Sequence, residues 1–100
     1  MPHLQAGTRP YVVISNNRCN KYSPIVTVIP ITTQNKKSLP THYTLSESEI
    51  EYTGLDREST ILGESITAIN KDLILSKIGE LHDLTKRSVT NVIRTQLGMA

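Results

Sequence analysis

Five short apolar runs rich in β-branched residues, followed by one stretch of helical periodicity, constrain this chain more than any other feature. "YVVIS" (residues 11–15) and "IVTVIPIT" (residues 25–32) read as the clearest strands. Pro30 inside the second predicts a bulge or an edge position, because proline brings no N–H to a ladder. "THYTL" (residues 41–45) alternates as a third strand, and "STIL" and "SITAI" supply two more around a bend at Gly63-Glu64. Between them, residues 1–10 and "NNRCNKYSP" read as loops, and "TQNKKSLP" as a basic loop. The acidic stretch from Ser46 to Glu58 reads as a surface excursion turning at Thr53-Gly54. "NKDLILSKIG" predicts a helix of one to two turns, capped by Asn70 and closed by Gly79. From Thr85 onward the apolar residues Val89, Val92, Ile93 and Leu97 follow i, i+3, i+4, i+8 spacing. That is a terminal helix, with Thr85 or Asp83 at its start and Gly98 just past its end.

Strands first and a helix last define an α+β domain, here a small SH3-like, partly closed antiparallel β-barrel with a C-terminal helix. One hundred residues make one domain with a thin core. The chain has no Trp or Phe and four Tyr, so its core volume must come from Ile, Leu and Val. A thin aliphatic core favours a dimer over an isolated monomer. The single cysteine, Cys19, excludes an intrachain disulfide and fits a reducing cytoplasm. No apolar run reaches transmembrane length, and the N-terminus lacks the pattern of a signal peptide.

Charge is informative through its distribution. The net charge is only +2, yet Arg9, Arg18, Lys21, Lys36 and Lys37 all precede the first acid, Glu47. A groove lined by these cations would attract a phosphate backbone, and Tyr11, Tyr22 or Tyr43 offers a face on which a base can stack. The structural alternative is that loop lysines are simply solvated. His3, His42 and His82 are scattered, without carboxylate or cysteine at ligand spacing. Cys19 lies in a polar segment near Arg18 and Lys21, which raises nucleophilic catalysis as a reading, but a lone loop cysteine is commonly incidental.

The segment "GTRPYVVISNN" resembles the G-x-R-P element, followed by a strand and Asn, of MazF/PemK-type toxins of toxin–antitoxin systems. "NKYSPIVTVIPIT", "KKSLPTH", "GLDRES", "AINKDLILSKIGEL" and "QLGMA" resemble the family's successive blocks in order, from about Gln5 to the C-terminus. The resemblance implies a metal-independent, cofactor-free endoribonuclease acting on single-stranded RNA or mRNA. Its products would carry 2′,3′-cyclic phosphate and 5′-hydroxyl ends. It further implies a cytoplasmic homodimer neutralised by an antitoxin with an acidic tail.

On the same resemblance the catalytic pair falls on Arg9 and Thr32; the candidate RNA-binding residues around it are Gly7, Thr8, Asn16, Asn17, Lys21, Lys36 and Lys37. The chemistry suits the pair. A guanidinium is permanently charged and presents donors in a fork to developing phosphoryl charge. A threonine hydroxyl can hydrogen-bond the same phosphate, whereas its own pKa makes it a poor base. Asn20 and Ser23 join Asn16 and Asn17 as candidate base readers, with turn stabilisation as the competing role.

Three departures stand out. Family members normally begin with a strand of the "GDIY" kind, and this chain opens "MPHLQAG". Their Glu-Gln after the late strand is Glu64-Ser65 here, and a position often basic is Thr67. A degenerate member that binds RNA or antitoxin without cutting is the alternative these departures raise. Gyrase poisoning, by analogy with CcdB-type folds, has no residue in its favour.

Overall fold

The structure, a computed structural model, describes residues 8–34 and 37–99. Its elements run β1 (Tyr11–Val13), α1 (Asn17–Tyr22), β2 (Ile25–Thr32), β3 (His42–Thr44), α2 (Glu47–Thr53), β4 (Thr60–Leu62), β5 (Thr67–Asn70) and α3 (Asp83–Leu97). Single 3₁₀ turns at Gly63–Ser65 and Lys71–Leu73 complete the path. Every strand pairing is antiparallel, in the order β1-β2-β4-β3, with β5 also on β2. Among the described residues the sheet is not closed into a barrel, and with the helix that follows it this is the α+β arrangement expected from the sequence.

β2 is the strand on which everything else hangs. It carries β1 on one edge, and β5 and then β4 on the other. Pro30 is accommodated by this change of partner. On the β1 edge, Ile14 N–H donates to the Thr27 carbonyl and Ile31 N–H to the Pro10 carbonyl, so the odd residues face β1. The nitrogen of Pro30 therefore points to the other edge. There β5 pairing stops at Val28 and β4 pairing begins at Ile31, so Pro30 falls at the break between the two partners. Pro30 thus sits in a central strand with its pairing to β1 unbroken by a bulge.

The two faces of β2 are both largely covered. Ile29 and Ile31 join Val12, Leu45, Ile61 and Val89 in the core cluster, with Ile93 and Tyr43 packed against it. α3 lies over this face through Thr85, Val89 and Val92, all buried. Its apolar stripe agrees with the expected one except at Leu97, which stays 55% exposed. The helix starts two residues before Thr85, and its cap is His82, whose Nδ1 accepts from the Leu84 N–H. Gly98 takes the left-handed C-cap conformation, as its position suggested. Gly63 lets α3 approach the bend between β4 and β5. A Cβ there would stand 2.2 Å from Val92 Cγ1 and 2.7 Å from the Thr41 carbonyl oxygen.

Three segments differ from the sequence expectation. "NNRCNKYSP" contains the helix α1, capped by Asn16, rather than an irregular loop. The acidic stretch contains α2, with a full capping box: the Ser46 Oγ accepts from Glu49 N–H and the Glu49 carboxylate accepts from Ser46 N–H. The proposed helix over "NKDLILSKIG" is only the 3₁₀ turn Lys71–Leu73. Asn70 makes no side-chain cap bond, and the chain then runs without regular structure to α3.

Candidate functional site

The strand register decides where the expected catalytic pair lies. Tyr11 is opposite Pro30, and the Pro10 carbonyl accepts from Ile31 N–H at 3.1 Å, so the ladder continues past the formal end of β1. One residue further, Arg9 falls opposite Thr32. Directly opposed residues of an antiparallel pair share a face, with Cβ atoms about 5 Å apart. Two residues 23 positions apart in sequence are thus set on one face at the end of β2, because Pro10 and the β-branched run after it dock on that strand, although Thr32 does not line the cleft that Arg9 lines. Arg9 is exposed, while Thr32 is 6% exposed. Thr32 Oγ1 accepts from Gln34 N–H at 3.1 Å, which fixes its side chain as the chain leaves β2. An oxygen that accepts in this way keeps its own proton to donate.

The loop residues separate into two groups. Thr8, Arg9, Asn17 and Asn20 line a broad open cleft of about 1410 Å³ together with Leu73, Leu75 and Lys86. Asn16, Lys21 and Lys37 do not line it. Asn16 Oδ1 caps α1 by accepting from Cys19 N–H at 2.8 Å, which is the turn-stabilising role set against base reading. Asn20 is similarly engaged: its Nδ2 donates to the Ser15 carbonyl at 2.8 Å and its Oδ1 accepts from Ser15 Oγ. Ser15 Oγ in turn accepts from Thr27 N–H at 3.0 Å, tying α1 to β2. Ser23 Oγ accepts from Ile25 N–H. The Lys21 ammonium lies 5.4 Å from the Tyr22 ring centroid, and that ring is 73% exposed. Lys37 is exposed; Gly7 and Lys36 lie outside the described residues.

Lys71 was not singled out in the sequence, yet it fixes this corner. Its Nζ donates to the Asn20 carbonyl at 2.8 Å and the Lys21 carbonyl at 3.2 Å. A cation on the last carbonyls of a helix complements both the orphan acceptors and the negative end of the dipole. The residue is 50 positions from α1, so no local pattern reports it.

Two carboxylates organise the rest. Glu64 accepts from Thr41 Oγ1 at 2.9 Å and bonds His42 Nε2 at 2.8 Å. Burial pushes its carboxyl up, but the hydrogen bonds from His42, its own backbone and Thr41, with the charge of His42, hold it below the ordinary value. Glu49 accepts from Tyr43 Oη, Thr85 Oγ1 and the Ser46 N–H. Burial again pushes upward, and the bonds from Ser46, Thr85 and Tyr43 outweigh it. Both carboxylates hold secondary structure together.

The fold is an open antiparallel sheet backed by a C-terminal helix, with Arg9 and Thr32 in register at the end of its central strand. Solved structures share this fold. An endoribonuclease in complex with its cognate antitoxin from Mycobacterial species has a TM-score of 0.81, at 22% identity over 98% of this chain and 88% of that one. A MazF toxin of Mycobacterium tuberculosis also has a TM-score of 0.81, at 21% identity over 92% and 88%. In sequence, an endoribonuclease MazF of Staphylococcus saprophyticus is 40% identical over 96 residues, which are 95% of this chain and 78% of that protein. Residues 2–97 match the PemK-like, MazF-like toxins of type II toxin–antitoxin systems, and the chain belongs to that family.

Proposed function

We propose that this protein is the toxin of a type II toxin–antitoxin pair and cleaves single-stranded RNA, with Arg9 and Thr32 at the scissile phosphate. The observation that carries the reading is the opposition of Arg9 and Thr32 across β1 and β2, joined to family membership and to the 40% identical endoribonuclease. In the reaction the ribose 2′-oxygen bonds to the adjacent phosphorus and the bond from phosphorus to the 5′-oxygen breaks. The 2′-hydroxyl proton is lost and the leaving 5′-oxygen gains one. Negative charge grows on the phosphoryl oxygens as this happens. Arg9 supplies a fixed positive fork to that charge, and Thr32 donates its hydroxyl proton to the same phosphate. Thr8 and Asn17, in the cleft beside Arg9, contact the neighbouring nucleotides. Lys21, Lys37 and the loop around them draw in the phosphate backbone.

The working unit is a homodimer in the cytoplasm. Leu73, Leu75 and Ile78 are 65%, 75% and 57% exposed, beside Tyr11 and Val13 at 43% and 45%. An apolar face of this kind is stable in water only when covered, and a second copy of the chain covers it. An antitoxin with an acidic tail competes with RNA for the cationic loops.

The test is incubation of purified protein with a long unstructured RNA in EDTA, with Arg9→Ala alongside. Discrete fragments ending in 5′-hydroxyls are expected, with the rate falling about 10²–10³-fold in the variant. Undiminished cleavage by a folded Arg9→Ala protein overturns the assignment.

A further inference from the structure

The register that sets Arg9 against Thr32 does not stop there. Thr32 is opposite Thr60 on β4, and Thr60 is opposite Thr44 on β3. Opposed residues share a face, so Arg9, Thr32, Thr60 and Thr44 form one row across β1, β2, β4 and β3. The intervening positions Ile31, Ile61 and Leu45 turn to the core, so the row occupies the other face. Exposure rises along it: Thr32 is buried, Thr60 half-buried and Thr44 exposed. The Oγ1 atoms of Thr60 and Thr44 are 3.0 Å apart and bonded to each other.

We propose that Thr60 and Thr44 extend the substrate track beyond the scissile site, as positioning residues for the phosphate of a neighbouring nucleotide. The inference rests on the reading of Arg9 and Thr32 given above. Strands are spaced about 4.8 Å apart, so the row leads about 10 Å from Thr32 to Thr44. That is far enough to reach the next phosphate of an extended single strand. The chemistry of the pair selects the contact. Of its two hydroxyl protons, one is used inside the pair and one is left to donate outward. The donor is polarised by the bond its oxygen accepts whenever Thr60 and Thr44 are aligned in series. A single outward donor matches a phosphate oxygen, which only accepts. The track has a boundary on the same strand, because Glu64, just past the end of β4, presents a carboxylate that is held ionised and repels a phosphate. Cross-strand threonine pairs also stabilise sheets by themselves, so the test must read more than folding.

Thr44→Val and Thr60→Val keep the β-branched shape and remove the hydroxyl. Two probes that cannot be cleaved are used: an RNA carrying one 2′-deoxyribose at the mapped cleavage point, and an all-deoxyribose copy. Each variant is expected to bind both probes about 3- to 10-fold more weakly, with the protein fully folded at the assay temperature and KM rather than kcat affected in cleavage. Thr44→Ser should restore binding. A neutral donor releases no counterion, so the slope of binding against salt should stay as in the wild type, whereas Lys37→Ala should lower it by about one. Unchanged affinity in both valine variants overturns the track and leaves the nuclease reading standing. A loss confined to the RNA probe places the contact on the 2′-hydroxyl and overturns the phosphate assignment. Failure of the wild type to bind either probe removes both proposals.

Discussion

Glu49 offers the sharpest test of how this small fold is held. Its carboxylate takes the Ser46 N–H at 2.8 Å, the Tyr43 hydroxyl at 2.8 Å and the Thr85 hydroxyl, so one side chain joins the start of α2 to β3 and α3. In Glu49→Ala the Thr85 hydroxyl loses its acceptor at a site with no solvent exposure, which costs about 1–3 kcal/mol. The half-buried Tyr43 hydroxyl and the reciprocal arm of the capping box add about 0.5–1 kcal/mol together. The sum is about 1.5–4 kcal/mol, or on the order of 6–30 °C in melting temperature for a domain of this length. Glu49→Gln keeps an acceptor oxygen and should lose only about 1 kcal/mol. The carboxyl is held below its ordinary value of 4.5 in the fold, so its stabilisation is complete above that value and disappears as pH falls through the folded one. Urea unfolding of wild type, Glu49→Ala and Glu49→Gln at neutral and acid pH measures all of this. The wild-type advantage over Glu49→Gln should shrink toward low pH. A Glu49→Ala protein within about 0.5 kcal/mol of wild type at pH 7 would refute the claim that these bonds carry stability.

Gly63→Ala places a methyl carbon against Val92 and the Thr41 carbonyl, so α3 or the bend must move, at about 1–3 kcal/mol in the same unfolding assay. On the proposal of a homodimer, Leu75→Asp, which puts a charge on the 75% exposed apolar position, should halve the mass seen by sedimentation while leaving the monomer's circular dichroism intact. A dimer that persists in that variant moves the interface elsewhere.

Much of the sheet was legible because its strands are long enough, or apolar enough, to announce their period. β2 and the bend between β4 and β5 follow from β-branched runs and the single Gly63. The short helices were not legible from periodicity, because α1 buries no residue and α2 buries only Thr53. They are held by caps rather than by an apolar stripe. The signal existed for α2: Ser46 followed three residues later by Glu49 is a capping box in plain sequence. The opposite error, over "NKDLILSKIG", came from good helix formers overruled by packing. Gly79 lies so close to Thr53 that a Cβ would stand 2.3 Å from the Thr53 carbonyl oxygen, which requires a chain pressed flat against the end of α2. At the candidate site, the motif proposes Arg9 and Thr32, but their opposition depends on register, and Lys71 acts from 50 residues away.

The placement of Pro30 has a consequence for assembly of the sheet. Sliding β2 by one residue against β1 would turn its core side chains outward and, because the odd residues bond to β1, would also bring the proline nitrogen against a β1 carbonyl. That error is punished twice, by exposed Ile29 and Ile31 and by an orphaned acceptor. Pro30 therefore works as a parity stop: a ring that can donate nothing reinforces the core in choosing the alignments that keep Arg9 and Thr32 on one face.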